Sequence, residues 1–435
     1  MGLAKEDVFS TIENFNEIQF YKQEDKSDKF QHNKFGDYLI EKYHIVHINN
    51  RLHIYDNGIY VNDERLIKRA MVKEISIIKR IQQSEVMEYL KNTALVSNEE
   101  PAHLIPLKNG VYDIKNEKLL QHSPNLIFTA KFNVSYDPNA TSEVVDQALQ
   151  MIACDNEVFE MFKQMFGYLL YKKNFIGKSF LFVGKGGNGK SLILEIMQSL
   201  VGMENTASVP LQGLNEQFNV SSLYHKLLNA GDDIPLKSVE DASNFKKLTT
   251  GEPVLASYKG QDVFEFKNHA KLVFSANGIP RWYENSDGVF DRLIIVPFNN
   301  RIRGTDKEDK NMDEKVTTEE AKSHTLNLAL QGLREVLKNN NIIIPNIVKE
   351  KMQEFKKTND PLEAFIAEYS IESKRATDVY EDYREWSEFE GYKHPFIRKE
   401  FRKQIEARGY IRVKRRIPNY NTSQWTYVHG ESISN

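Results

Sequence analysis

The stretch SFLFVGKGGNGKS, residues 179–191, constrains the rest of the chain more than any other. After Ser179 comes a short apolar run with the pattern of a buried strand. Gly184 follows, then four residues, then Gly189, Lys190 and Ser191. Beyond them apolar residues return at helical spacing, at Ile193, Ile196, Met197 and Leu200. Strand, glycine loop and helix in that order are the context that makes this pattern a structural statement. Its chemistry explains its residue types. Backbone N–H groups can face phosphate oxygens only where side chains are small, and Gly184, Gly186, Gly187 and Gly189, with Asn188 among them, provide that. The helix starting near Lys190 aims its positive end at an anion. Lys190 can reach β- and γ-phosphates, and Ser191 can ligate magnesium. An ordinary glycine turn is the plainer alternative, and the flanking strand and helix weigh against it.

Three further signals follow the loop. Asp232 and Asp233 stand together at the end of a possible strand, where one acid can hold magnesium through water and its neighbour can polarise an attacking water. Asn229, Ala230 and Gly231 make that strand a poor one, and paired aspartates are often only turns. Lys271 to Ala276 reads as an apolar strand ending in Asn277, an amide suited to a γ-phosphate or a water; an Asn-Gly turn is the alternative, since Gly278 follows. Arg292 enters the buried run LIIVP and is either a structural ion pair or a finger offered to a neighbouring subunit. Between the acids and the amide strand, two β-rich runs flank Tyr258, Lys259 and Gly260. A tyrosine and a lysine at a hairpin tip suit a sugar-phosphate contact, or simply solubility.

Upstream, residues 1–33 read as a loosely ordered lead-in with one short helix at most. Residues 35–43 and 64–95 read as helical. Residues 51–61 read as a hairpin turning at Asp56, Asn57 and Gly58, and residues 107–120 as a second, turning near Asn116. Residues 142–171 carry helical periodicity, and their Phe/Met stripe reads as core. Residues 303–315 read as a charged surface loop, and residues 319–338 as a closing helix.

The charge is uneven. Residues 393–435 hold ten Lys/Arg against three Asp/Glu, while the whole chain carries −3. A basic end on an acidic chain suggests a local polyanion surface. Residues 361–370 read as a helix, a second is capped by Thr377, and a third runs over residues 395–407 with Ile397, Phe401 and Ile405 inward and Gly409 ending it. Its outer face carries Arg398, Lys399, Arg402 and Lys403. A hairpin with Lys414 and Arg415 then closes the chain. Helices followed by a basic hairpin look like a winged helix, a DNA reader or a protein-contact scaffold. The lone Cys154 fits a reducing compartment, and no apolar run is long enough for a bilayer. These predict a cytoplasmic protein, in a bacterial host if the chain serves a phage.

Together these signals resemble the superfamily 3 helicases, closest to the helicase part of phage and plasmid primase–helicases and their poxvirus-type relatives. The residues that carry the resemblance are those of the glycine loop, Asp232, Asp233, Lys259, Asn277 and Arg292. Asn109-Gly-Val-Tyr-Asp-Ile, His122-Ser-Pro and Phe132-Asn-Val-Ser-Tyr-Asp-Pro upstream add to it. It covers roughly residues 35–340. It implies an α/β P-loop ATPase core of the AAA+-like type, here with an α+β amino-terminal region and the carboxyl-terminal winged helix. The expected divisions are 1–33, 34–138, 139–345 and 355–435. It further implies ATP and Mg2+, a hexameric ring, 3′ to 5′ movement on single-stranded and forked DNA, and work alongside a separate primase. No primer synthesis is expected of this chain. Lys190, Ser191, Asp232, Asp233 and Asn277 would then act in cis, Arg292 in trans, and Tyr258 and Lys259 on DNA. The alternatives are a ring ATPase that remodels or loads another protein, and an origin-binding regulator with ATP as a switch.

Overall fold

The computed structural model describes residues 19–24, 27–282, 287–372, 374–392, 395–418 and 420–430. Most of the expected lead-in lies outside them. The chain divides into two units: Met1–Ala140 with Leu200–Gly202, and Thr141–Ser199 with Met203–Asn435.

Among the described residues, the first element of this unit is an antiparallel pair, β1 (Tyr21–Glu24) and β2 (Ser27–Phe30), where the end of a loose segment was expected. The helix His32–Tyr43 buries Phe35 and Leu39. A three-stranded sheet follows: β3 (Val46–Ile48), β4 (Arg51–Asp56) and β5 (Ile59–Val61). β4 and β5 turn through Asn57 and Gly58, both at positive φ, as a two-residue hairpin requires. The helical stretch after it is two helices, Glu64–Glu74 and Arg80–Thr93. The chain leaves the first at Ile75, which is extended and buried, and Gln82 caps the second through the Lys79 N–H. β6 (Leu104–Leu107), β7 (Gly110–Asp113) and β8 (Lys118–Leu120) form a meander, so the expected second hairpin has one strand more.

The second unit is built on a five-stranded parallel sheet. Its strands are β9 (Ser179–Val183), β10 (Thr206–Ala207), β11 (Leu228–Gly231), β14 (Lys271–Ala276) and β15 (Leu293–Pro297). β12 (Pro253–Ser257) and β13 (Val263–Lys267) make a separate antiparallel hairpin. The order across the sheet is β10-β11-β14-β9-β15. β9, first in the chain, is therefore flanked by later strands on both sides. The strand order reverses there, and ligand crevices in open parallel sheets lie at the carboxyl end of such a point. All five residues of β9 are buried. The helices Glu143–Ile152, Asn156–Leu170 and Glu319–Asn339 also belong to this unit. The last two cross at Gly167 and Gly332, where a Cβ on either would strike the other helix's backbone.

β11 corrects the doubt about its sequence. Asn229 is fully buried, accepts from the Val209 N–H at 2.8 Å and donates to the Val209 carbonyl at 3.0 Å. A buried amide that satisfies another segment's backbone is at home in a strand interior.

The carboxyl-terminal part holds the helices Pro361–Glu368, Ala376–Phe389 and Arg398–Ala407, then β16 (Tyr410–Arg415) paired with β17 (Gln424–His429). Leu362, Phe365, Tyr383, Trp386, Phe401, Ile405 and Tyr427 share one core. Two details differ from expectation. Arg375, not Thr377, precedes the second helix. The third starts at Arg398, and Ile397 ahead of it is 69% exposed because its extended backbone lies outside the inward stripe.

Candidate functional site

The sheet register brings the chemistry together. Val183 of β9 lies level with Ala276 of β14 and Pro297 of β15. Gly231 of β11 pairs with Phe274. Gly184, Asp232 and Asn277 each follow their strand directly, with Asp233 one residue further, so all four emerge at one carboxyl edge. A cavity of about 520 Å³ opens there, lined by Gly186 to Ser191, Asp232, Asp233, Ser275 and Asn277 among others.

The loop is held from behind. Asn188 donates to the Phe298 carbonyl at 2.7 Å, and Gly187 accepts from the Ile302 and Arg303 N–H groups at 2.8 and 3.0 Å. Gly187 has φ +80, and a Cβ there would lie 2.6 Å from that of Arg303. That φ and the closeness of the Arg303 side chain both favour glycine. Lys190 opens the helix Lys190–Val201. Its Nζ donates to the Gly184 carbonyl at 2.5 Å and to Asn188 Oδ1 at 3.2 Å. Burial pushes the Lys190 ammonium's pKa down, while Asp232 and Asp233 pull it back up.

The two acids are placed differently. Ser191 Oγ donates to Asp232 Oδ2 at 3.3 Å, and Ser275 also donates to the Asp232 carboxylate. Asp233 has φ +46, its N–H meets Ser275 Oγ at 3.0 Å, and its Oδ1 accepts from Asn277 Nδ2 at 3.2 Å. A hydroxyl beside a carboxylate is a hard-oxygen pair of the kind Mg2+ takes when substrate phosphates complete its shell. No group of three or more His, Cys, Asp or Glu suited to a metal occurs among the described residues.

The other wall was not expected. Residues 302, 303, 308–310, 312 and 313 line the cavity, and part of that segment is the helix Met312–Val316. It is thus more than a charged surface loop: backbone hydrogen bonds to Gly187 bring it against the glycine loop. Met151, Ile302 and Met312 add apolar surface. Glu195 also lines the cavity, and burial with the Asp313 charge pushes its carboxyl pKa up. Ser275 was missed as well, although it is a polar residue of β14 two positions before Asn277 and lines the same cavity.

Arg292 does not join this group. It lies at the amino end of β15, where its carbonyl accepts from the Ser179 N–H and its guanidinium donates to the Gly288 carbonyl at 2.7 Å. Lys259 is exposed at the β12–β13 tip, while Tyr258 is half-buried and stacked on Phe264 with ring centroids 5.2 Å apart. Arg398 lies over the Tyr380 ring, Arg402 pairs with Glu406 at 2.7 Å, and Lys403, Lys414 and Arg415 are exposed.

Comparison with known proteins fits this arrangement. A "D5 N terminal like" family profile matches residues 19–154, and a family of unknown function, DUF5906, matches residues 182–292. A protein of Acanthamoeba polyphaga mimivirus named a putative helicase is 24% identical over 74% of this chain and 36% of its own length. The DNA primase-polymerase of Nitratiruptor phage NrS-1 is 22% identical over 36% of this chain and 22% of its own. The chain is a relative of primase–helicase-like proteins. It spans about a third or less of the length of the curated relatives it matches. The apo structure of the NrS-1 C-terminal region shares the fold of this chain, with a TM-score of 0.55 at 14% identity, over 91% of this chain and 99% of that one.

Proposed function

We propose that the chain is an ATP-dependent replicative DNA helicase of a phage or other mobile element, of the superfamily 3 type, with a P-loop AAA+-like core. The observation that carries this reading is the convergence of Lys190, Ser191, Asp232, Asp233 and Asn277 around one cavity at the sheet's switch point. The helicase and primase-polymerase names of its relatives support the replication context.

On this reading the glycine-loop amides and Lys190 hold the β- and γ-phosphates. Ser191 and Asp232 would hold Mg2+, which supplies charge neutralisation when bound. Asp233, fixed by Asn277, orients a water toward the γ-phosphorus. The water oxygen bonds to phosphorus, the bond to the β-phosphate oxygen breaks, and ADP, phosphate and a proton leave. Met151, Ile302 and Met312 offer an apolar wall to the base. Arg292 is five strand residues from its own loop, about 16 Å at strand rise. That distance supports action on a neighbouring subunit's nucleotide, and with it a ring, taken here as a hexamer. Lys259 then contacts single-stranded DNA, and because Tyr258 is packed on Phe264 the contact is to phosphate more than to bases. The carboxyl-terminal helices and hairpin serve as a winged helix on duplex or forked DNA.

The test is ATP hydrolysis and displacement of a forked duplex strand, wild type beside Lys190→Ala. DNA-stimulated hydrolysis with displacement from a 3′ tail, both lost in the variant, is the expected result. Hydrolysis without displacement favours a ring ATPase that remodels another protein, and a wild type that binds no nucleotide overturns the reading.

A further inference from the structure

Asn277 faces two cavities. One is the cavity of the glycine loop. The other, about 570 Å³, lies between the sheet edge and the carboxyl-terminal helices, and Arg281, Phe355, Trp386 and Tyr392 also line it. From Asn277 the chain runs through Gly278, Ile279 and Pro280 to Arg281 and Trp282. Arg281 and Trp282 are both fastened to the carboxyl-terminal helices and their connections.

The fastening is specific. The Trp282 N–H donates to Asn359 Oδ1 at 2.9 Å, and Asn359 Nδ2 donates to the Phe355 carbonyl at 3.0 Å. Trp282 and Asn359 are both buried. The Arg281 guanidinium lies 4.2 Å from the Tyr392 ring centroid, donates to the Glu390 carbonyl at 3.3 Å and stands 3.8 Å from the Glu390 carboxylate. The Arg281 carbonyl accepts from the Val239 N–H at 2.8 Å. A buried backbone N–H that loses its acceptor is left unsatisfied, so drawing the segment away from the carboxyl-terminal helices is unfavourable. At the other end of the same six residues, the Asn277 amide holds the Asp233 carboxylate.

We propose that Arg281 and Asn359 are positioning residues for the hydrolytic step: the carboxyl-terminal helices set, through them, where Asn277 holds Asp233. This rests on the nucleotide reading of the site above. Neither residue touches nucleotide. Both fix the strand-end segment on which the water-orienting pair depends. Because coupling between sites is reciprocal in binding, a DNA partner on the carboxyl-terminal domain and a nucleotide at the loop then bias one another through six residues.

The experiment compares full-length wild type, Arg281→Ala, Arg281→Lys, Asn359→Ala and Asn359→Asp. It reads kcat and KM for ATP with and without DNA, the Kd of a fluorescent ATP analogue, and thermal melting. Arg281→Ala and Asn359→Ala should lower kcat about ten-fold, as a small displacement of a positioned group does. Analogue affinity should stay within about two-fold, and stimulation by DNA should be lost. Asn359→Asp keeps the acceptor for the Trp282 N–H but loses the donor to the Phe355 carbonyl, so it should recover part of kcat, as should Arg281→Lys, which keeps the charge. Arg281 is half-exposed, so its truncation leaves the core in place even if Asn359→Ala melts early. An unchanged kcat in the folded Arg281→Ala chain, or kcat and affinity falling together, overturns the proposal. A wild type that binds the analogue but does not hydrolyse ATP, or does not bind it, overturns the reading of the site and this proposal with it.

Discussion

Glu74 shows how one residue can govern the first unit. It is buried, and its carboxylate accepts from Tyr38 and Tyr43 at 2.6 Å each and from Lys42 at 2.8 Å. Burial pushes its pKa up, but the hydrogen bonds from Lys42, Tyr38 and Tyr43 outweigh that and hold it below the usual glutamate range. Burial and the Glu74 hydrogen bond push the Tyr43 hydroxyl up to about 12. A carboxyl whose pKa is lowered in the folded state stabilises fully above its unfolded pKa, and that stability is lost as pH falls through the folded value. Glu74→Gln should therefore cost about 2 kcal/mol at neutral pH, since an amide cannot accept from all three donors. Denaturant titrations should show the deficit in full at neutral pH and shrinking in acid, below the ordinary carboxylate range. A deficit independent of pH would mean that packing, not the charge, is what Glu74 supplies.

At the scale of elements, legibility followed chemistry more than composition. β9, β14 and β15 were readable because apolar runs of that length, bounded by glycine, asparagine and proline, have few other homes. β11 was not, because Asn229 looks unfavourable until its partner on another segment is known, and Val209 lies twenty residues away in sequence. The wall at residues 302–313 was hidden for a similar reason: charged composition says exposed, while two backbone hydrogen bonds to Gly187 bring it to the site. Arg292 was readable as a lone arginine entering a strand, but only the parallel register sets it at the opposite edge from the loop. β11 carries the prediction at this scale. Asn229→Val introduces the β-branched shape a strand prefers and leaves the Val209 N–H and carbonyl buried without the Asn229 amide. It should cost about 2 to 3 kcal/mol in chemical denaturation, despite the better strand propensity. A neutral result would show that Val209 finds other partners and that the amide is dispensable.

For the whole molecule, the proposed function asks a chain of net charge −3 to hold a polyanion. Long-range attraction cannot do it, so binding must come from local basic surface within a Debye length of the phosphates. Part of the carboxyl-terminal charge is already answered locally, by Glu406 on Arg402 and by Glu381 3.9 Å from Arg398. Lys414 and Arg415 stand exposed toward the end of β16 and have the better claim to phosphate contact. Affinity for single-stranded DNA should therefore fall linearly on a log–log plot against salt, with a slope of about −0.7 for each phosphate neutralised. Replacing Lys414 and Arg415 together by glutamine should make the slope shallower by about 1.4 if each neutralises one phosphate. Lys259→Gln, at the hairpin tip, should do so by about half that amount. The two sets test different surfaces, and their ratio divides the DNA footprint between them. A slope unmoved by Lys414 and Arg415 but reduced by Lys259→Gln would assign single-strand binding to the tip and leave the carboxyl-terminal hairpin to duplex DNA or to protein. A flat wild-type profile would mean that neither surface holds phosphate, and the chain would then act on DNA only through a partner.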